Sequence, residues 1–252
     1  WTIGGAVWSM YDYNRGCCDN ICYSGLADLF RLPKFGLLYF RTQMKEGTFT
    51  PAGPMTYEVF INSHWLEGSS DTLQVYGNVD EVKLQLNGRV IARQYPDDKP
   101  STSEYVSRPD GGNAENIDFP PFTFFNVNWE RGELKAIGYK DGKAVAEHVV
   151  RTPGAVEAMD ITYFESGVSA SCRDLLIVYV NLKDLQGTGC FGENNREVKL
   201  EVLQGGELRG PATIKAEAGV ASFLVAPTDS PMLVLKAVSG NLETMRKLKL
   251  KK

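Results

Sequence analysis

Histidine is scarce in this sequence. Only His64 and His148 occur, and neither stands in a motif with a serine, cysteine or acidic partner, so a catalytic triad is not supported. Long apolar runs are missing, and no stretch would span a bilayer as a helix. There is no excess of positive charge: 27 Lys and Arg against 31 Asp and Glu leave a formal net charge of -4. That balance gives no footprint for a nucleic acid or an anionic lipid surface. A phosphate-cradling loop is absent as well, because Asp110-Gly111-Gly112-Asn113 lacks the Lys-Ser/Thr pair and a following helix. The opening Trp1-Thr2-Ile3-Gly4-Gly5 has neither the basic stretch nor the cleavage site of a signal peptide. It reads as a fragment of a longer protein whose targeting signal, if it has one, lies elsewhere.

The five cysteines cannot all pair within one chain. Cys17, Cys18 and Cys22 share a short loop, which reads either as a metal or redox cluster or as a loop that happens to hold thiols. Zinc needs a second pair or a histidine pair at fitting spacing, and neither histidine supplies it, so no metal is expected. A bridge between Cys172 and Cys190 is open if their strands are neighbours.

What is present divides into three segments. Residues 1–48 begin with Ile3-Gly4-Gly5-Ala6-Val7-Trp8, an apolar run of the kind buried on both faces of a strand. A polar loop follows, then a helical pattern in which Pro33 suits the first turn and Leu37, Phe40 and Met44 lie on one face. This strand, loop and helix cannot form a core alone. Its apolar strand must dock on the next domain, pair with another chain, or stay poorly ordered.

In residues 49–155 the periodicity turns to alternation. Val82, Leu84 and Leu86 point one way while Lys83 and Gln85 point the other. Asn87-Gly88 and Asp141-Gly142 are hairpin signals, since a type I′ turn needs positive φ at both central residues. The polar stretch 95–118 reads as a long surface loop, functional or poorly ordered. Residues 156–252 repeat the strand pattern at 175–182, 197–203, 220–225 and 232–238, and the charged run 246–252 reads as a closing strand with a solvated face. Each of the two β segments has the length of an immunoglobulin-like sandwich. The expected fold class is mainly β: two such sandwiches after a strand-loop-helix piece.

Residues 4–34 also carry a resemblance. The Gly4-Gly5-x-x-Trp8 strand with Asp12 four residues on, followed by Gly25-x-x-Asp28-x-x-Arg31-x-Pro33-Lys34, resembles the last strand and turn of the (β/α)8 barrel of glycoside hydrolase family 2, which includes β-galactosidases and β-glucuronidases. Residues 75–88 and 132–139 are similar to the immunoglobulin-like domain that follows that barrel, and residues 205–212 to a further C-terminal sandwich. The resemblance implies retaining hydrolysis of β-linked saccharides by two glutamates about 5 Å apart. Such residues stand on barrel strands before the last one. The first glutamate here is Glu46, beyond the barrel motif, so the catalytic pair is expected in other sequence and this chain is expected to be inactive alone.

Further expectations follow from the resemblance. The partner is an oligo- or polysaccharide met through the rest of the barrel, with no cofactor, no nucleic acid and no membrane span. A homo-oligomer is allowed, and the setting is the bacterial periplasm or secretion. Trp8 falls where the family places an aromatic on the floor of the sugar subsite, where an indole offers a flat surface to a sugar's C–H face. Asp12 would accept sugar hydroxyls or hold a barrel-loop arginine, or else cap its own loop, and Tyr13 is a further substrate contact on the same loop. Asp28 and Arg31 read as a pair at a turn. His64-Trp65 reads as an aromatic platform or as a cover for one end of the sandwich, and Trp129 as a strand residue. The alternative to an enzyme part is a carbohydrate-binding or purely structural β-sandwich module.

Overall fold

Strands dominate because alternating apolar residues give each strand one face to bury and one to solvate. The computed structural model describes residues 8–14, 16, 21–97, 117–165, 171 and 174–250. The apolar run 3–7, Cys17, Cys18, Cys172 and most of the 95–118 stretch lie outside the described residues. Two units form, Trp1–Thr152 and Pro153–Lys252.

The first unit opens with two short strands, β1 (Tyr13–Asn14) and β2 (Ile21–Cys22), which pair antiparallel. Helix α1 (Phe35–Thr42) follows. Pro33 sits just ahead of Lys34, the residue that caps the helix, and so outside the first turn where the sequence placed it. The helix packs on the sandwich of its own unit. Tyr39 meets the Tyr76 ring edge-on at 5.3 Å, Arg41 forks onto Glu58, and Asn78 donates to the Met44 carbonyl beyond the helix end.

After the small hairpin of β3 (Phe49–Thr50) and β4 (Gly53–Pro54), seven strands make the sandwich. These are β5 (Val59–Ile61), β6 (Leu73–Gly77), β7 (Glu81–Leu86), β8 (Arg89–Gln94), β9 (Phe122–Phe124), β10 (Glu133–Lys140) and β11 (Lys143–Arg151). One sheet runs β11-β10-β7-β8 and the other β5-β6-β9. Four plus three strands is the count of the constant-type immunoglobulin sandwich. Both expected hairpins are in place: Asn87 and Gly88, like Asp141 and Gly142, all have positive φ.

Ile61, Val75, Phe122 and Phe124 face Val82, Leu84, Leu134 and Ala136 across the core, and Trp65 is fully buried with them. Trp65 donates its indole N–H to the Glu130 carbonyl at 3.0 Å, so it fills the core rather than forming a platform. Trp129 follows β9 outside any strand and donates to the Trp65 carbonyl at 3.3 Å. Gly138 on β10 leaves no room for a side chain: a Cβ would lie 2.7 Å from Val59 Cγ1 and 3.1 Å from Val79 Cγ1.

The second unit is a sandwich of two four-stranded sheets. Its strands are β12 (Ala158–Tyr163), β13 (Leu176–Lys183), β14 (Glu197–Gln204), β15 (Gly206–Leu208), β16 (Thr213–Lys215), β17 (Val220–Pro227), β18 (Met232–Ser239) and β19 (Leu242–Lys249). The orders are β12-β13-β17-β15 and β16-β14-β18-β19. Val178, Val180, Leu182, Phe223 and Val225 meet Val198, Leu200, Leu233, Leu235 and Ala237 in its core. The charged C-terminal run forms β19, with Leu250 buried behind it. Its Arg246 donates to the Ile161 carbonyl on β12 at 3.0 Å, so a side chain spans from one sheet to an edge strand of the other.

Cys190 is a buried free thiol, its Sγ 3.8 Å from the Gly154 carbonyl oxygen. The bridge to Cys172 that the sequence left open involves a residue outside the described ones, and Cys190 itself is free. Burial pushes this thiol's pKa up, which keeps it protonated and inert.

Candidate functional site

Residues 8–34 fold back on themselves through backbone pairing. Residues 9–12 lie beside 24–27, with Leu26 N–H on the Ser9 carbonyl, Ala27 N–H on Met10 and Asp12 N–H on Ala27, each at 2.9–3.0 Å. Gly25 makes this approach feasible, because a Cβ there would lie 2.2 Å from the Asp12 backbone nitrogen. The Gly25 N–H donates to Asp12 Oδ1 at 2.9 Å, and Lys34 Nζ donates to the same oxygen at 2.6 Å. Lys34 also donates to the Tyr23 carbonyl at 3.1 Å. Asp12 is 5% exposed. The sequence left it open between a contact to sugar hydroxyls or an arginine and an aspartate that caps its loop. Its carboxylate is buried against two donors and holds the loop in shape.

The two aromatic candidates come together above this knot. Trp8 is 75% exposed. Its indole N–H donates to the Tyr13 hydroxyl at 2.7 Å, and the rings meet edge to face with centroids 6.1 Å apart. The hydroxyl oxygen accepts from the indole, so its own proton stays available for a ligand. An exposed indole with a hydroxyl donor at its edge can stack on the apolar face of a pyranose and bond to a rim hydroxyl.

Nearby residues take other parts. Asp28 accepts from the Leu32 N–H at 2.8 Å and closes the turn, while the Arg31 guanidinium lies 5.0 Å from the Tyr11 ring centroid. The two residues do meet in the turn, where the Arg31 N–H donates to the Asp28 carbonyl at 3.0 Å. Lys34 was visible as part of a motif but not as Asp12's partner. The signal was there only in part, since the loop's aspartate needs a donor and the motif's lysine was the unassigned cation.

Both histidines pack inside the first unit. His148 Nδ1 accepts the Ile61 N–H at 3.1 Å, and His64 packs on the Phe35 ring at 4.9 Å. Burial lowers the pKa of both rings. Among the described residues no three His, Cys, Asp or Glu side chains gather to hold a metal ion, and no helix is long and apolar enough to cross a membrane.

Residues 68–146 match a family described as a domain of unknown function (DUF4982). The chain is 31% identical over 254 residues to a β-galactosidase of Thermoanaerobacter pseudethanolicus, covering 94% of this chain and 32% of the relative. It is 28% identical over 193 residues to a β-glucuronidase of Formosa agariphila, covering 74% of this chain and 17% of the relative. The chain thus spans about a third or less of the curated relatives it matches. Among solved structures, a β-glycosidase from Bacteroides vulgatus superposes with a TM-score of 0.72 at 16% identity, over 97% of this chain and 30% of that one. A β-glucuronidase from glycoside hydrolase family 2 gives 0.69 at 21% identity, over 92% of this chain and 23% of that one. By sequence and by fold, the chain is a C-terminal part of a glycoside hydrolase family 2 protein.

Proposed function

We propose that this chain supplies one wall of the sugar site and the bracing sandwiches of a retaining hydrolase acting on β-linked saccharides. In this reading residues 1–48 are the end of the (β/α)8 barrel, and residues 49–155 and 156–252 are the two immunoglobulin-like domains behind it. Trp8 and Tyr13 contact the sugar, and Asp12, Gly25 and Lys34 position them. The observation that carries the reading is the exposed Trp8 indole held by the Tyr13 hydroxyl over a knotted loop. An exposed indole locked in orientation costs little entropy when a ligand stacks on it. The relatives' names, β-galactosidase and β-glucuronidase, support this substrate class. The setting is the periplasm or the exterior of a bacterium.

The general acid and the nucleophile of such a reaction are two carboxylates on either side of the scissile bond. In this proposal other sequence supplies both. Incubated with nitrophenyl β-galactoside or β-glucuronide, the chain hydrolyses neither. Turnover above a heat-inactivated control would overturn that division of labour. Galactose perturbs the Trp8 contribution to fluorescence, taken as the difference between the chain and Trp8→Phe, and a difference unmoved by millimolar sugar counts against the platform.

A further inference from the structure

We infer that the second unit carries a binding site for a neutral pyranoside, in the cleft between the outer face of β12–β13 and the turn holding Phe191. On these paired strands Asp160 lies opposite Asn181, and Met159, Ile161, Val180 and Leu182 are spent on the core. Strand alternation therefore puts Asp160, Thr162, Asn181 and Lys183 together on the outer face. They line a cleft of about 340 Å³ with Gly189 and Phe191.

The polar groups are already ordered with respect to one another. Asn181 donates to Asp160 Oδ1 at 2.8 Å and to Thr162 Oγ1 at 3.0 Å, while Lys183 donates to Asp160 Oδ2 at 2.7 Å. The remaining capacity can be counted. Thr162 accepts from Asn181, so its proton is left to donate. Lys183 has further N–H groups, each carboxylate oxygen of Asp160 keeps a lone pair, and the Asn181 carbonyl is an acceptor. The face thus presents donors and acceptors side by side, which suits vicinal hydroxyls because each is both.

The alternatives fit less well. An anion would need surplus positive charge, and here Asp160 offsets Lys183. An apolar ligand would strip water from these groups and return no hydrogen bonds. Phe191, 37% exposed, supplies the apolar wall that the C–H face of a sugar ring packs against. It is seated on Gly189, where a Cβ would lie 2.9 Å from its Cζ. The volume is at the low end for small-molecule sites, about 300–1,000 Å³, and holds one hexose with part of a neighbour. Groups already held in place lose little freedom on binding.

The inference goes beyond the reading of Trp8 and does not depend on it. The test is an NMR titration of the 252-residue chain with methyl β-galactopyranoside, a β-linked disaccharide and free glucuronate. The neutral sugars shift the amides of Asn181, Lys183, Gly189 and Gly219. Asp160→Ala and Phe191→Ala each weaken binding about tenfold or more. Gly189→Ala, which pushes the ring aside, weakens it too. In each variant the amide shifts of the core residues Val198, Leu200 and Leu235 stay at their parent values, which separates a binding defect from a folding one. No shifts at millimolar sugar, shifts unchanged by Asp160→Ala and Phe191→Ala, or tighter binding of glucuronate would each overturn the inference. A silent cleft with a responding Trp8 would sink this site alone.

Discussion

In the first unit, one backbone N–H of β5 is met by a histidine ring: Ile61 donates to His148 Nδ1, with Phe60 edge-on to the imidazole at 5.5 Å. In the second, three backbone N–H groups converge on one buried carboxylate: Gln186 and Thr188 donate to Asp184 Oδ1 and Gly154 to Oδ2, at 2.8–3.0 Å. The first tie needs its ring neutral, because a protonated Nδ1 is a donor facing a donor. The second needs its carboxylate charged. Burial lowers the His148 pKa, and the backbone donors, led by Gly154, lower that of Asp184. Both folded values lie below the unfolded ones, so the unfolded chain takes up more protons as pH falls and both ties weaken toward acid. The windows differ, opening downward from the ordinary 6.5 for the imidazole and 3.8 for the carboxylate. Similar sandwich architectures are thus pinned by side chains that fail at different acidities.

The largest expected break in this comparison comes from Trp65→Ala, which empties the centre of the first core and costs about 3–5 kcal/mol. Hydrogen exchange should speed up through residues 57–151 and stay unchanged in the second unit; equal acceleration in both would show that the units do not melt separately. Gly138→Ala should cost about 1–3 kcal/mol by overpacking against Val59 and Val79, read as a lower denaturation midpoint.

A pH titration sharpens the comparison itself. Lowering the pH from 7 to 5 loosens the Ile61 amide but leaves those of Gly154 and Thr188 protected, and these open only below about pH 4, near the ordinary carboxylate range. His148→Phe should abolish the first step and leave the second. Simultaneous loss of all three amides would refute separate titration. The smallest effect belongs to Trp8→Ala. An exposed residue away from either core should shift stability by no more than about 0.5 kcal/mol in chemical denaturation.

Local signals in the sequence carried much of this architecture. Val82, Leu84 and Leu86 alternate visibly, and Asn87-Gly88 and Asp141-Gly142 announce their turns through a backbone requirement that neighbours cannot override. The span Phe35–Thr42 was legible as a helix from its apolar face. The ties were not. His148 lies 87 residues from the N–H it accepts, and Asp12 22 residues from Lys34, and no local pattern encodes which distant group arrives. Asp12 stayed open for the same reason: an aspartate in a loop looks equally ready for a ligand or for a buried cation. The array on the outer face of β12–β13 became visible only when register set Asp160 opposite Asn181.

Arg246 has a consequence for how the protein behaves in a crowded solution. Where β12 and β19 come side by side, the outermost rows of peptide groups would be an invitation to any extended peptide seeking to zip onto them. A guanidinium already occupies the Ile161 carbonyl there, and Glu243, Lys247 and Lys249 stud the exposed flank of β19 with charge. At that corner of the second unit, one carbonyl is taken and three charges oppose the addition of a foreign strand.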